Sequence, residues 1–255
     1  YSGLIFVGFC TLVYFYQDKI IFIPTVGKVL STPEDLSLNF TNLKLKSHEN
    51  TIHAWYVPSM VNHGTVLFCH GNGGNLAHRL RTVQMWYSLG YSIMIFDYAG
   101  YGESTGEVSE KSCYDDVSTC YEWLIKKGVA KESIIAHGRS LGGGVASYIA
   151  QKHEISSLIL ESTFTSVADM AAHQFPWLPT SLLCRTEFPT FKRLGDYSGK
   201  LLILHSSEDQ IIPYHMGLAN AKMGGVELIT LQGGHNQSRS TDGVYLEALK
   251  KHLRE

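Results

Sequence analysis

The stretch "SIIAHGRSLGGGVASYIA", residues 133–150, decides the fold. It opens on a short apolar run of strand character and continues into a segment of helical length. Between the two, Gly138-Arg139-Ser140-Leu141-Gly142 fills the pattern G-x-S-x-G. At a strand-to-helix turn this pattern is a nucleophile elbow, whose glycines relieve the crowding of a strained backbone and leave the serine in the open. The helix that follows aims its amide end at the same point. The plainer alternative is a serine capping a glycine-rich helix start.

Working outward, the apolar runs at 65–70, 92–97, 157–162, 201–206 and 226–231 join 133–138 as buried parallel strands, and 42–47 with 52–57 form a starting hairpin around "HEN". Helical candidates fall between them at 75–89, 110–127, 141–153, 214–223 and 241–254. In the second, Val117, Tyr121, Leu124 and Ile125 make an apolar stripe. Strands alternating with helices predict one α/β sheet with helices on both faces. The interval between 162 and 201 is longer and contains "FPWLPTSLLCRTEFPTF". It is too short for a large cap domain and long enough for a small lid, in which "FPWLP" (175–179) lines an acyl pocket or simply packs on the surface.

A serine hydroxyl is a weak nucleophile, so it needs a base, and the base needs an orienting acid. On this architecture the chain order is Ser, then Asp or Glu, then His. Asp209 in "SEDQIIP" follows one strand and His235 in "QGGHN" follows the next, completing the set with Ser140. Glu208 and Glu161 are alternative acids, and His205 and His215 are weaker bases. The loop "HGNGGN" (70–75) follows the strand at 65–70. Its Asn72 and the post-nucleophile Leu141 are the expected backbone N–H donors to an oxyanion.

Other function classes lose ground on the same residues. The glycines at 71 and 73, with Asp97 downstream, invite a dinucleotide-binding reading, but the third glycine of G-x-G-x-x-G is replaced by Leu76. No P-loop and no H-E-x-x-H occurs, so neither a cofactor nor a metal is expected. With 255 residues, 44% hydrophobic and 17% charged, and a formal net charge of −2, the chain is globular and has no basic stripe for nucleic acid. Five cysteines without C-x-x-C argue against a disulfide framework or zinc site. "YSGLIFVGFCTLVYFY" (1–16) is uncharged and shorter than the roughly 20 residues that span a bilayer. Since the sequence begins at Tyr1 rather than Met, a truncated N-terminal membrane anchor is expected over 1–16. A connecting segment is expected at 17–40 and a catalytic domain at 41–255.

"HGNGGN", "DYAGYGES", "GRSLGG", "SSEDQIIP" and "GGHN" occur in the order seen in α/β-hydrolases. Together with "YQDKIIFIP" (16–24), they make the chain resemble the membrane-anchored, bud-emergence-type branch, which includes protein depalmitoylases. The likeness runs from about residue 16 to the end. It implies an eight-stranded, mostly parallel sheet, no cofactor, and Ser140, Asp209 and His235 as nucleophile, acid and base. Gly73 stands where alanine is expected and Ala99 where arginine is frequent, and the N-terminal cysteine cluster of palmitoylated depalmitoylases is missing. The expected activity is cleavage of carboxylic esters or thioesters of acyl or lipid-like substrates. A peptidase or amidase, or a non-catalytic binding protein, is the alternative on the same fold.

Overall fold

The computed structural model describes residues 2–237 and 243–254. The strands are β1 (Thr41–Ser47), β2 (Asn50–Val57), β3 (Thr65–Cys69), β4 (Ser92–Phe96), β5 (Ile134–Arg139), β6 (Ser157–Glu161), β7 (Lys200–Ser206) and β8 (Leu228–Leu231). They form one sheet in the order β1-β2-β4-β3-β5-β6-β7-β8. Only the β1–β2 and β2–β4 pairings are antiparallel. The helices are α1 (Ser2–Ile21), α2 (Leu80–Ser88), α3 (Glu110–Lys126), α4 (Leu141–Lys152), α5 (Val167–Gln174), α6 (Thr180–Leu183), α7 (Thr190–Gly195), α8 (Tyr214–Met223) and α9 (Gly243–Arg254).

The central strands are apolar throughout because both faces of the sheet are covered. Along β3 the alternation of side chains feeds two cores. Val66 and Phe68 pack with Trp86 of α2 and Tyr245 of α9, whereas Leu67 and Cys69 pack with Val117 of α3 and Val145 of α4. The chain leaves β3 for β4 on one side and returns to β5 on the other. The loops after β3 and β5 therefore flank the switch point of the sheet, where open α/β sheets bind ligands.

Several elements differ locally from expectation. The hairpin turn is His48-Glu49 alone: Asn50 already pairs with Ser47, and His48 takes a positive φ of 49° to make the tight reversal. The helix expected at 75–89 is split into a 3-10 turn, Leu76–Arg79, and α2. On α3, Ile125 is exposed, and the buried face runs through Cys113, Val117, Cys120 and Leu124. Two cysteines behave there as small apolar residues. Positions 241 and 242 of the last expected helix lie outside the described residues.

The expected anchor at 1–16 lies within a longer helix, and Tyr1 is outside the described residues. α1 continues through Asp18 and Lys19 to Ile21, and Gln17 and Asp18 dock this end on the 183–186 segment. Gln17 is buried, its Nε2 donates to the Leu183 carbonyl (3.2 Å), and its Oε1 accepts the N–H groups of Arg185 (2.7 Å) and Thr186 (3.0 Å). Asp18 accepts the Thr186 hydroxyl at 2.8 Å. Gly3–Ile21 is long and apolar enough to cross a membrane, and almost none of it is buried.

Beneath Ala99, Asp116 of α3 is fully buried. It accepts the Ser47 hydroxyl (2.6 Å) and the Ala99 N–H (2.8 Å). Burial pushes its carboxyl up to about 6, against the hydrogen bonds from Ser47 and Ala99. A raised folded-state pKa gives stability that is full below the ordinary value and fades as pH climbs toward about 6. The shift is worth about 3 kcal/mol. Asp116→Asn keeps an acceptor for Ala99 and cannot ionise. The gap in unfolding free energy between variant and wild type is expected to move in the variant's favour by that amount between pH 4 and pH 7. Chemical unfolding across this range checks it, and a pH-independent gap would contradict it.

Candidate active site

Ser140 sits between β5 and α4 at φ 54°, ψ −122°, a backbone conformation that non-glycine residues rarely hold. Three backbone hydrogen bonds fix it. Its N–H donates to the Glu161 carbonyl (2.9 Å), and its carbonyl accepts from the Thr163 hydroxyl (2.7 Å) and the Gly143 N–H (2.9 Å). The flanking glycines are required by space. A Cβ at Gly138 would lie 2.2 Å from the Gly142 carbonyl oxygen, and one at Gly142 would lie 1.9 Å from that of Cys69. The elbow thus folds only with glycine at both positions, while the serine is pushed out of the packed layer.

Asp209 follows β7, its side chain fully buried. Oδ1 accepts the N–H groups of Ile211 (2.9 Å) and Ile212 (2.8 Å), and Oδ2 lies 2.7 Å from His235 Nδ1. Burial pushes its carboxyl up, but the His235 hydrogen bond and the two amides outweigh that and hold it below the ordinary carboxylate value. His235 follows β8, its N–H tied to the Gln210 side chain (3.1 Å). Ser140 and His235 border one cavity of about 460 Å³, together with Gly71, Asn72 and Arg139.

The alternative acids and bases are engaged elsewhere. Glu208 accepts the Gly233 N–H (3.0 Å). Glu161 pairs with Arg139 (2.9 Å) and accepts the Tyr245 hydroxyl (3.0 Å). His205 lies under Asp209 at 3.6 Å, donates to the Ile212 carbonyl (3.0 Å), and is held neutral by burial. His215 stands at the start of α8, against the ring of His173.

In the loop after β3, a Cβ on Gly71 would touch the Ser140 Cβ at 3.3 Å, so this backbone passes directly beside the serine. The Asn72 N–H makes no hydrogen bond among the described residues, and Leu141 opens α4, where amides have no helical acceptor. Sequence reasoning missed the Asn72 side chain. Its Oδ1 accepts the Tyr101 hydroxyl (2.7 Å) and the Ile23 N–H (3.0 Å), and its Nδ2 donates to the Ile21 carbonyl (2.6 Å). One residue therefore joins the loop to the end of α1.

Arg139, with no evident role in sequence, is a strut. From inside the elbow its Nε donates to Glu161. Its terminal nitrogen donates to the His235 carbonyl and to Asn236 (3.1 Å). It ties the β5 turn to the β8 loop, so the serine and the histidine share a rigid connection. Behind the β3 loop, His70 and Asp97 are both fully buried, 3.4 Å apart, and His70 is kept neutral by burial. Among the described residues no cluster of three or more His, Cys, Asp or Glu could hold a metal.

A family model described as the alpha/beta hydrolase fold matches residues 64–190, the segment holding both the β3 loop and the elbow. An uncharacterised protein of Mycobacterium tuberculosis is 30% identical over 260 residues, covering 99% of this chain and 92% of its own length. The chain belongs to the α/β-hydrolase family. Protein bem46 of Schizosaccharomyces pombe is 32% identical, over 71% of this chain and 64% of its own length. Lysophosphatidylserine lipase ABHD12 of Mus musculus is 29% identical, over 85% and 61%. These relatives bear out the resemblance to the bud-emergence-type branch. Among solved structures, the esterase Pf2001 of Pyrococcus furiosus superposes with a TM-score of 0.75 at 18% identity, over 91% of this chain and 96% of that one. The family, its fold and its lipase and esterase relatives support a hydrolase activity.

Proposed function

We propose that the protein is a serine hydrolase that cleaves carboxylic ester or thioester bonds through an acyl-enzyme, with α1 as its membrane anchor. The observation that carries this reading is the 2.7 Å contact of His235 Nδ1 with buried Asp209, beside a strained Ser140 that borders the same cavity. Asp209 accepts the Nδ1–H, which leaves Nε2 as the free base. Nε2 takes the Ser140 proton while Oγ attacks the substrate carbonyl carbon. The Asn72 and Leu141 N–H groups receive the developing oxyanion, each worth about 3 kcal/mol in comparable sites. His235 then gives the proton to the leaving oxygen or sulfur as the acyl bond breaks. Water, deprotonated by the same imidazole, releases the carboxylic acid and restores Ser140.

The lipase named among the relatives supports the ester class, and the apolar cavity beside Ser140 suits an acyl group. A fluorophosphonate probe tests the assignment. It is expected to add one phosphonyl group to the protein, which peptide mass spectrometry locates on Ser140. A stoichiometric adduct on any other residue would overturn the reading.

A further inference from the structure

Ser140 lies between two cavities of different character. One is the cavity of about 460 Å³ that it shares with His235. The other, about 440 Å³, is apolar and runs from Ser140 and Leu141 outward between α1 and the segment around α5 and α6. Leu12, Val13 and Ile20 of α1 form one side, and Met170, Phe175 and Leu178 form the other. At the far end Trp177, 60% exposed, stands against α1, with ring centroids 6.5 Å from Phe6 and 5.8 Å from Phe9. From Phe9 to Ile21 the helical wall is about 18 Å long at 1.5 Å per residue, long enough for a fatty acyl chain.

The same helix turns a second face outward. Leu4, Ile5 and Phe15 are 66% to 77% exposed and line neither cavity. Its inner end is locked by Gln17 and Asp18 to the 183–186 segment, and by Asn72 to the β3 loop. An anchor alone needs neither a side facing the serine nor hydrogen bonds to the loop beside it.

We propose that α1 is one wall of the acyl-binding groove, and that the substrate is a long-chain acyl ester or thioester whose tail passes from a lipid surface along α1 to Ser140. This rests on the serine-hydrolase reading. The groove is apolar from Ser140 to Trp177, so it takes the acyl side of the scissile bond. The leaving group then occupies the cavity that holds His235, which must protonate it.

The full chain in detergent micelles is assayed on p-nitrophenyl butyrate and p-nitrophenyl palmitate. Leu12→Trp and Val13→Phe fill the groove from the α1 side. Both are expected to lower the palmitate-to-butyrate ratio of kcat/KM at least about tenfold, the scale on which apolar pockets discriminate chain size. Phe15→Trp, on the outer face, is expected to leave the palmitate-to-butyrate ratio at the wild-type value. A thermal unfolding curve reports that each variant is folded. An unchanged ratio in Leu12→Trp and Val13→Phe overturns the groove, and so does an equal fall on both esters with thermal unfolding intact. Failure of the underlying reading is separate: it appears as butyrate turnover that survives Ser140→Ala.

Discussion

Ser140→Ala is expected to lower kcat on a short-chain p-nitrophenyl ester by about a million-fold, while KM changes little. The loss is large because the serine, histidine and aspartate act as one unit. Without the nucleophile the other two have nothing to activate, and only the oxyanion donors and substrate binding continue to accelerate attack by water. KM is spared because the variant removes one oxygen from a site whose cavities are lined by other residues. The fold is spared for a different reason. The three hydrogen bonds that hold the elbow at residue 140 all use its backbone, and the Oγ makes none among the described residues. Alanine inherits the same strained φ of 54°, so thermal unfolding is expected within about 0.5 kcal/mol of the wild type. Steady-state kinetics and a melting curve on one preparation check both halves. A variant that keeps more than about a hundredth of the wild-type kcat contradicts the mechanism.

The elbow was legible because its signal is local. Gly138 and Gly142 answer contacts with Gly142 and Cys69 that any strand-to-helix turn of this sharpness creates. Asp209 and His235 were legible through chain order and strand ends, which place their loops at the same edge of a parallel sheet. What escaped was non-local. Arg139 reaches a carbonyl 96 residues away, and no pattern around it shows that its partner is the backbone of the histidine loop. The Asn72 side chain was missed because its partners, Ile21, Ile23 and Tyr101, come from two other segments. The helix that contains the expected anchor at 1–16 runs on to Ile21. The uncharged run ends before Asp18, but Asp18 accepts the hydroxyl of Thr186, 168 residues on, a contact no local pattern shows.

Asp209→Asn is expected to lower kcat by about ten-thousand-fold with the architecture intact. The two oxygens of Asp209 have separate tasks. Oδ1 accepts the N–H groups of Ile211 and Ile212 and shapes the turn after β7. An asparagine oxygen in that position keeps both bonds. The amide nitrogen then replaces Oδ2 beside His235 Nδ1 and donates to it, which forces the ring proton onto Nε2. A protonated Nε2 cannot take the proton of Ser140, so the base is lost through its tautomer while every heavy atom stays near its place. Alanine at 209 would confound this, because it also strips the turn of its acceptor. In the wild type the carboxyl is held below its ordinary value, so its contribution to stability is present above the usual carboxylate range and fades only as pH falls through the lowered value. At neutral pH it is fully ionised, and the kinetic loss reports catalysis rather than unfolding. Glu208→Gln is the matching control. Glu208 accepts the Gly233 N–H and does not touch His235, so its kcat is expected to stay within about threefold of the wild type, a loss of well under 1 kcal/mol. If the two variants lose activity equally, the acid is not Asp209 alone. If only Glu208→Gln is inactive, the orienting acid belongs one residue earlier in the chain.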